Sequence, residues 1–577
     1  MSIVRPKIHV SEEIQDNITV GVTEVINELK EKIKNSNKSL KIAFECYPVT
    51  NELFLLEHLI QPLKADKIIS SQTFFKDSKW VNEKIADNLT EDRIFGLMSH
   101  HSIRDFVDET KLKEINNEIK NNQLSVIYGV GASLIDNPDI IIYVDLARWE
   151  IQKRYRTGIY SNWLADNAGE DPLRMIKRGY FFEWRVADKY KQEIFDKVSY
   201  FLDIHDEGHV KLLSKDTYFE ALAEVNNQPF SLVPFFDPGI WGGSWMQEKF
   251  NIMKDEENLA WSFNGVPEEN SIILDFNNQS FEMPANNLVY LFPEKLLGTK
   301  VFGRFGKEFP IRFNFLDTIG GQNLSLQVHP KISYVQDVFG AHYTQDESYY
   351  VLGASDDAVV YLGVNDGVEK KELVDALRRA ETGAESFDDE KYIYRHPMKK
   401  HDHYLIPSGT IHSSGKNSVV LEISATPNRY TFKLWDWDRV DFDGLPRPVN
   451  IDHGEKNIDI FKNKTWVDNE LVNQFEKLAE GDGWFEERTG LHESEFIETR
   501  RHTFSKKVRH FNPHGVNVLN LVEGQEALVT SPTNQFSPFK IEYAQTFIIP
   551  AMVEEYNIEP TGKSEGEIIK TIKAYIR

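Results

Sequence analysis

The sequence has 577 residues, and this length predicts two to four domains because a single hydrophobic core stops growing at about 250–300 residues. Hydrophobic residues make up 41% and charged residues 27%, which is the composition of an ordinary soluble globular protein. The net charge of −24 argues against a general nucleic-acid or anionic-membrane partner, since both need a basic surface. The single cysteine, Cys46, excludes an intrachain disulfide and a thiolate metal site.

The N-terminal segment does not have the pattern of a signal peptide. Residues 1–15 carry Glu12 and Glu13 and contain no apolar core. No apolar run approaches the roughly 20 residues that a membrane span needs. We therefore predict a cytoplasmic location and no membrane partner, and an anionic substrate would need a local basic pocket in this acidic chain.

Residues 1–230 are predicted to form a parallel α/β domain. Short apolar runs at 39–48, 125–131 and 140–145 alternate with segments of helical spacing. This order resembles a nucleoside or uridine kinase core, that is, a degenerate P-loop-kinase-like domain. The turn at 47–52 has no glycine and no lysine, so the phosphate-binding loop is missing. A structural or regulatory role and nucleotide binding both stay open for this domain.

A candidate metal site lies in the extended, apolar segment 323–330. Strand side chains alternate between faces, so Gln327 and His329 are predicted to point to the same side. Glu347 and His412 each lie at the edge of another strand-like run. An isolated histidine near a strand is usually an ordinary polar residue, but these four form a nitrogen and oxygen donor set without sulfur. Such a set suits a borderline or hard divalent metal, most often zinc.

Four motifs in this order resemble the class I mannose-6-phosphate isomerases of the cupin superfamily: Trp241–Gly243, Leu324–Pro330, Pro407–His412 and Tyr430–Arg439. The resemblance covers roughly the C-terminal three-fifths of the chain. It implies one zinc ion per chain, held by Gln327, His329, Glu347 and His412. It also implies an aldose–ketose isomerase that interconverts mannose 6-phosphate and fructose 6-phosphate through an enediol.

The fold class is therefore multidomain, α/β followed by all-β. Residues 231–450 are predicted to form a metal-binding cupin barrel, or jelly roll, with a helical insert at 370–379. Residues 451–577 are predicted to form a connector and a second, metal-free cupin-like barrel, because no Gln-x-His pattern recurs there. A short helix is predicted near 470–479.

The chain departs from the family at three cationic positions, which fall here on Asn314, Gln345 and Lys433. We predict Lys433 as a catalytic residue, with a metal-bound water as the alternative proton-transfer base. Substrate binding is assigned to Arg439, Asn314 and Gln345. Other cations could compensate for the lost charge, and the candidates are Arg312, Lys399 and Lys400.

The departures leave other functions open. The chain could be a sugar or sugar-phosphate sensor that keeps the metal without turnover, or an isomerase of a different sugar. Another cupin metalloenzyme, such as an oxygenase, and a bifunctional kinase–isomerase are further alternatives. The sequence does not decide the oligomeric state.

Overall fold

A computed structural model describes residues 3–36, 38–426, 429–440, 444, 447–490, 492, 494–513 and 515–577. The chain divides into two units, each with its own core. One unit comprises Lys7–Val225 and Ser271–Leu291, and the other comprises Met1–Pro6, Asn226–Asn270 and Phe292–Arg577. The predicted boundaries at 230 and 450 stay a prediction. None of the described helices is long and apolar enough to cross a membrane.

The first unit, here called the α/β unit, is built on a seven-stranded sheet. Strand Leu40–Cys46 is parallel to both of its neighbours, as predicted, and nearly all of its side chains are buried on both faces. Strand Lys211–Ser214 differs from the prediction, because it is antiparallel to both of its neighbours. The likeness to a kinase stays a prediction. In spatial order the strands are Thr19–Val20, Lys211–Ser214, Tyr200–Asp203, Ile140–Asp145, Leu40–Cys46, Leu124–Gly129 and Lys67–Ser70.

Helices cover this sheet through apolar stripes. In the first of them, Val25 and Leu29 are four residues apart and both are fully buried against the sheet. The unit also holds a small sheet of Ile8–His9, Ser271–Phe276 and Gln279–Pro284. Its α-helices are Val22–Lys34, Glu52–Phe54, Ser78–Lys84, Ala86–Leu89, Glu109–Ile119, Arg148–Arg156, Pro172–Arg178, Trp184–Ile194, Lys215–Val225 and Asn286–Leu291.

The second unit contains two antiparallel barrels, and the first barrel carries the predicted motifs. Its two sheets share one core, in which Tyr349 and Val420 of one sheet pack with Leu362 of the other. The six-stranded sheet has the order His403–Ile406, Glu347–Ala354, Ser418–Ala425, Ile311–Asp317, Trp261–Gly265 and Phe235–Asp237. The five-stranded sheet has the order Ile393–Pro397, Val359–Val364, His412–Ser414, Leu326–Val328 and Phe432–Trp435.

Helices connect and flank the strands of the first barrel. The predicted helical insert is present as Lys370–Glu381. The other α-helices of this unit are Trp245–Phe250, Pro293–Leu297, Thr299–Phe305, Ile332–Phe339, Asp389–Tyr392, Ile451–Asn457 and Lys464–Glu470.

The second barrel has a six-stranded and a four-stranded sheet that share a second core. The predicted helix near 470–479 is wrong for most of its length. The observed helix, Lys464–Glu470, ends where the predicted one begins, and a strand begins at Glu476. That strand forms because it pairs with Trp484–Gly490. The six-stranded sheet has the order Glu476–Gly481, Trp484–Gly490, Ile497–Phe504, Ile569–Ile576, Asn517–Glu523 and Thr546–Ile549. The four-stranded sheet has the order Val508–Phe511, Glu555–Pro560, Glu526–Thr530 and Phe539–Glu542.

The Trp241–Gly243 motif has a steric reason. The Gly243 N–H donates to the carbonyl of Asp317 at 2.8 Å. A Cβ atom placed on Gly243 would lie 2.4 Å from Asp317 Oδ1 and 2.5 Å from the backbone nitrogen of Ile319. The absence of a side chain therefore lets this segment lie against the end of strand Ile311–Asp317, which leads into the Gln327 segment.

We predict that Gly243→Ala lowers the free energy of unfolding by about 1–3 kcal/mol, because overpacking displaces backbone atoms. The midpoint of thermal unfolding should fall by several degrees. Gly303→Ala is the matched control, since a Cβ atom there meets nothing within 4 Å. Gly303 lies in helix Thr299–Phe305, where alanine is favoured over glycine, so that variant should be neutral or slightly more stable. Equal midpoints for Gly243→Ala and the parent would contradict this explanation.

Candidate metal centre

One row of side chains crosses the five-stranded sheet of the first barrel. Gln327 is paired with His412 on one side and with Lys433 on the other. Residues directly opposite each other in an antiparallel ladder share a face. His329 follows Gln327 by two residues and lies on the same side, as predicted. This register brings three predicted ligands to one wall of the barrel.

The opposite wall supplies the carboxylate. Glu347 begins strand Glu347–Ala354 and is paired with Ser424, which is paired in turn with Arg312. The adjacent row consists of Tyr349, Glu422 and Asn314. Because alternate residues of a strand share a face, both rows face the same side of the sheet.

The four predicted ligands meet between these two walls. Glu347 Oε2 lies 3.0 Å from His329 Nε2, and Glu347 Oε1 lies 2.9 Å from His412 Nε2. The Gln327 side-chain amide nitrogen lies 3.1 Å from His412 Nε2, and a half-turn of the amide would present its oxygen instead. Gln327 is the most exposed of the four at 8%. Potential ligand atoms of His329, Glu347 and His412 all lie within 4.8 Å of one another. In the part of the chain that the structure describes, this is the one such group of three histidine, cysteine, aspartate or glutamate residues.

The backbone fixes the orientation of both imidazoles. His412 Nδ1 lies 2.9 Å from the carbonyl of Thr410, and His329 Nδ1 lies 3.4 Å from the carbonyl of Tyr430. A carbonyl oxygen only accepts, so each Nδ1 carries the proton of its hydrogen bond. In the neutral form of each ring, which is the form that binds a metal, the lone pair is then on Nε2, which faces Glu347. This is the arrangement in which outer partners orient metal-binding histidines.

The electrostatics of the centre suit a cation. Burial opposes ionisation of Glu347, but the charges and hydrogen bonds of His329 and His412 outweigh it and hold the pKa of Glu347 well below its usual range. Burial likewise opposes the charged form of His329, but Glu347 outweighs it and raises the pKa of His329. His329 Nε2 and Glu347 Oε1 make no well-aligned hydrogen bond with any described residue. The nitrogen and oxygen donors therefore fit a divalent metal such as zinc.

Glu422 is a second buried carboxylate next to the centre, and it is not among the residues predicted from the sequence. Its Oε1 accepts hydrogen bonds from Asn314 Nδ2 at 3.1 Å and from Ser424 Oγ at 2.8 Å. Burial, followed by the charge of Glu347, raises the pKa of Glu422. A signal was present in the sequence, because Glu422 is the one charged residue in the apolar strand Ser418–Ala425. A charge in such a strand points to a functional cavity.

Asn314 and Gln345 lie beside the two carboxylates. Gln345 Nε2 donates to Glu347 Oε2 at 3.0 Å and lies 3.5 Å from Glu422 Oε1. Both amides are buried. They therefore hold the carboxylates in place as neutral donors where the family resemblance implies cations, and their predicted role in substrate binding stays a prediction.

Arg312 is a fully buried cation on the same wall. Its side chain is 0% exposed, and none of its guanidinium nitrogens has a hydrogen-bond partner among the described residues. Its guanidinium carbon lies 5.9 Å from the ring centre of Phe263. Its charge opposes the rise in the pKa of Glu422. An unpaired buried guanidinium is costly, so this group is available to an anion.

Two other predicted cations have different environments. Lys433 lies in the row of Gln327 and is half-buried, and its predicted catalytic role stays a prediction. Arg439 Nη1 donates to the carbonyl of Asn323 at 2.8 Å, and Arg439 Nη2 donates to Asp436 Oδ1 at 2.6 Å. Arg439 thus ties its turn to the segment before Gln327. Its role in substrate binding also stays a prediction.

In the α/β unit, charges at the carboxyl edge of the sheet are paired internally. Lys191 Nζ lies 2.8 Å from Asp145 Oδ1, and Arg148 pairs with Asp188. Glu45 accepts hydrogen bonds from the backbone of Gly131 at 2.6 Å and of Ser133 at 2.8 Å. This is the edge where α/β proteins bind ligands, and here the arginine and lysine already have carboxylate partners.

Comparison with known proteins agrees with this division of the chain. Residues 21–227 match a family described as a domain of unknown function, DUF8485. The chain is 28% identical over 230 residues to the putative mannose-6-phosphate isomerase YvyI of Bacillus subtilis. The aligned region covers 39% of this chain and 67% of that protein. The chain is 26% identical over 240 residues to the mannose-6-phosphate isomerase ManA of the same organism, covering 41% of this chain and 69% of that protein.

A solved structure is also similar. The crystal structure of the mannose 6-phosphate isomerase from Bacillus subtilis superposes with a TM-score of 0.48 at 20% identity, covering 60% of this chain and 99% of that one. These relatives are named as mannose-6-phosphate isomerases, which belong to the class of aldose–ketose isomerases.

Proposed function

We propose that this chain is a zinc-dependent aldose–ketose isomerase that interconverts mannose 6-phosphate and fructose 6-phosphate. The observation that carries the proposal is the convergence of Gln327, His329, Glu347 and His412, which come from separate parts of the sequence. The names of the sequence relatives give the reaction class. A bound divalent ion would act as a Lewis acid on the sugar oxygens.

Glu422 is the proton-transfer base of this proposal. The reaction moves a proton between the C1 and C2 carbons through an enediol, so one base that accepts and returns a proton is sufficient. A carboxylate whose pKa is raised by burial is suited to this work near neutral pH. Asn314 and Ser424 hold the Glu422 carboxylate on the wall that faces the metal ligands. Lys433 is the alternative base, on the opposite wall.

Arg312 is the residue we assign to the phosphate group of the substrate. The family resemblance implies a lysine at position 314, where this chain has an asparagine. Arg312 precedes Asn314 by two residues and lies on the same face of the same strand. A guanidinium with no hydrogen-bond partner among the described residues offers several donors to a phosphate. The cation would thus be retained within the barrel and displaced along the strand.

A second candidate function is binding of a sugar phosphate without turnover. It is favoured by the neutral amides of Asn314 and Gln345, since each donates to a carboxylate and adds no positive charge to the pocket. The two functions share the metal and differ in whether product forms.

We predict that the purified chain holds about one zinc ion per chain and isomerises mannose 6-phosphate, and that His412→Ala lowers both. Metal content measured by elemental analysis should fall with the activity, which should drop by at least about 100-fold because a ligand is lost. His342→Ala is the control, since this side chain is exposed. Full zinc content in the parent without product from mannose 6-phosphate or mannose would favour the sensor, and turnover without metal would refute the proposal.

We predict that Arg312→Met raises KM for mannose 6-phosphate by about 10- to 100-fold, because a charge-assisted hydrogen bond contributes roughly 1.5–3 kcal/mol. Turnover of mannose, which has no phosphate, should not change. Steady-state kinetics with both sugars measure the difference. Arg304→Met is the control, since Arg304 is exposed on helix Thr299–Phe305. A proportional loss with both sugars would mean that Arg312 only supports the fold.

We predict that Glu422→Gln lowers kcat by about 100- to 10,000-fold while zinc content stays near the parent value, because the variant keeps the hydrogen-bond shape and loses the base. The parent should lose activity as the pH falls and the carboxylate becomes protonated, and this acid limb should be absent from the residual activity of the variant. Lys433→Met is measured alongside it. A large loss of kcat in Lys433→Met together with an active Glu422→Gln would move the base to Lys433.

A further inference from the structure

The second barrel contains a polar cavity of about 190 Å³. We name it the second-barrel cavity and define it by six of the residues that line it: Glu486, Arg500, His502, Arg509, His510 and Lys573. A single water needs roughly 10–15 Å³ by the same kind of measure, so the cavity has room for a small molecule. Nothing in the motif pattern of the sequence pointed to this place.

Strand register brings these side chains together. Glu486 is paired with His502, and Arg500 is paired with Lys573. Arg500 and His502 are two residues apart in one strand, so all four side chains lie on one face of the six-stranded sheet. His510 comes from the four-stranded sheet, and its ring centre lies 4.4 Å from that of His502. Both sheets of the barrel therefore contribute to the cavity.

The two histidines have unused hydrogen-bonding capacity. Both ring nitrogens of His510 and the Nδ1 of His502 are buried without a hydrogen-bond partner among the described residues. Histidines that serve a core are normally hydrogen-bonded, so each of these atoms needs an explanation. Burial lowers the pKa of His502 to about 4, against the opposing effect of Glu486, so the ring is neutral at neutral pH. Neutral imidazoles can donate to or accept from a ligand.

Of the three cations that line the cavity, Arg509 pairs with Glu555 outside it, and Lys573 has the most distant carboxylate partner. Glu486 is the one carboxylate among the described lining residues, and it faces both Arg500, at 3.2 Å, and Lys573, at 4.0 Å. Glu498 neutralises Arg500 from outside the cavity, with a distance of 2.6 Å. Lys573 is 6% exposed, and its one ion pair among the described residues is the 4.0 Å contact with Glu486; its ammonium also lies 5.8 Å from the ring centre of Tyr575. Burial lowers the pKa of Lys573 to about 8, which leaves it mainly charged at neutral pH.

The cavity also has a way in. Phe511, Asn512 and Pro513 line both the cavity and a wider, open depression of about 690 Å³. Phe511 is 61% exposed, which is unusual for a phenylalanine and places an apolar ring at this boundary. A ligand larger than the inner cavity could therefore extend outward along Phe511.

We propose that the second-barrel cavity binds a small organic anion, whose phosphate or carboxylate group contacts Lys573 and Arg500 and whose hydroxyl or carbonyl groups contact His502 and His510. Lys573 lies 4.0 Å from its carboxylate partner, and the neighbouring imidazoles have unused nitrogens, so donors are available to an anion. This site is separate from the metal centre and does not depend on the proposed isomerase activity.

The test is isothermal titration calorimetry on the full chain carrying His412→Ala, which removes a ligand of the metal centre and so reduces binding there. The probes are inorganic phosphate, fructose 6-phosphate and malonate. At least one of the three probes should bind with a stoichiometry of one per chain. Adding Lys573→Met should weaken the affinity for that probe by about 10- to 100-fold. Lys506→Met is the matched control, because Lys506 is exposed in the same barrel and pairs with Asp482.

His510→Phe is the second variant. It keeps the stacking on Tyr556, whose ring centre lies 4.9 Å from that of His510, and removes both ring nitrogens without a change of charge. Binding should weaken in this variant too. Binding of phosphate or fructose 6-phosphate alone assigns a phosphate site, and binding of malonate alone assigns a carboxylate site. If none of the three binds, or if affinity is the same in Lys573→Met and in Lys506→Met, the proposal is wrong.

Discussion

The first barrel depends on one buried carboxylate, Glu347, held between the imidazoles of His329 and His412. A carboxylate removed from water is costly unless cations or donors surround it, so the partners of Glu347 must arrive at the same point from other strands. Strand register achieves this, because Gln327 is paired with His412 on one wall and Glu347 with Ser424 on the other. A shift of one residue in the strand register would turn the ligands of that strand to the opposite face of the sheet, and the four side chains would no longer meet.

The same period of two explains how a cation can change position without leaving the pocket. Arg312 and Asn314 are alternate residues of strand Ile311–Asp317 and share its inner face. Compared with the lysine that the family resemblance implies at position 314, Arg312 lies about 7 Å along the same wall, given roughly 3.4 Å per residue. The neutral Asn314 then becomes free to hold Glu422. In the proposed function, Arg312 would therefore keep a positive charge in the site although position 314 is neutral.

The sequence predicted those parts of the structure that local spacing determines. Gln327 and His329 share a face because they are two apart, and the helix Lys370–Glu381 follows from its own periodicity. The contact of Glu422 with Asn314 could not be predicted this way, because it joins strands that are 108 residues apart in the chain. The helix predicted near 470–479 is wrong for a related reason: strand Glu476–Gly481 takes its conformation from its cross-strand partner and not from its own composition.

The two barrels show why the absence of a motif says little about function. The first barrel places two carboxylates, Glu347 and Glu422, around a centre that suits a cation. The second barrel lacks the Gln-x-His pattern, yet it places two carboxylates, Glu486 and Glu498, beside Arg500 and Lys573. One architecture thus holds different electrostatic environments, because side chains at a few inward-facing strand positions determine which charges meet. A barrel without metal ligands is therefore better examined for the charge of its interior than dismissed as inactive.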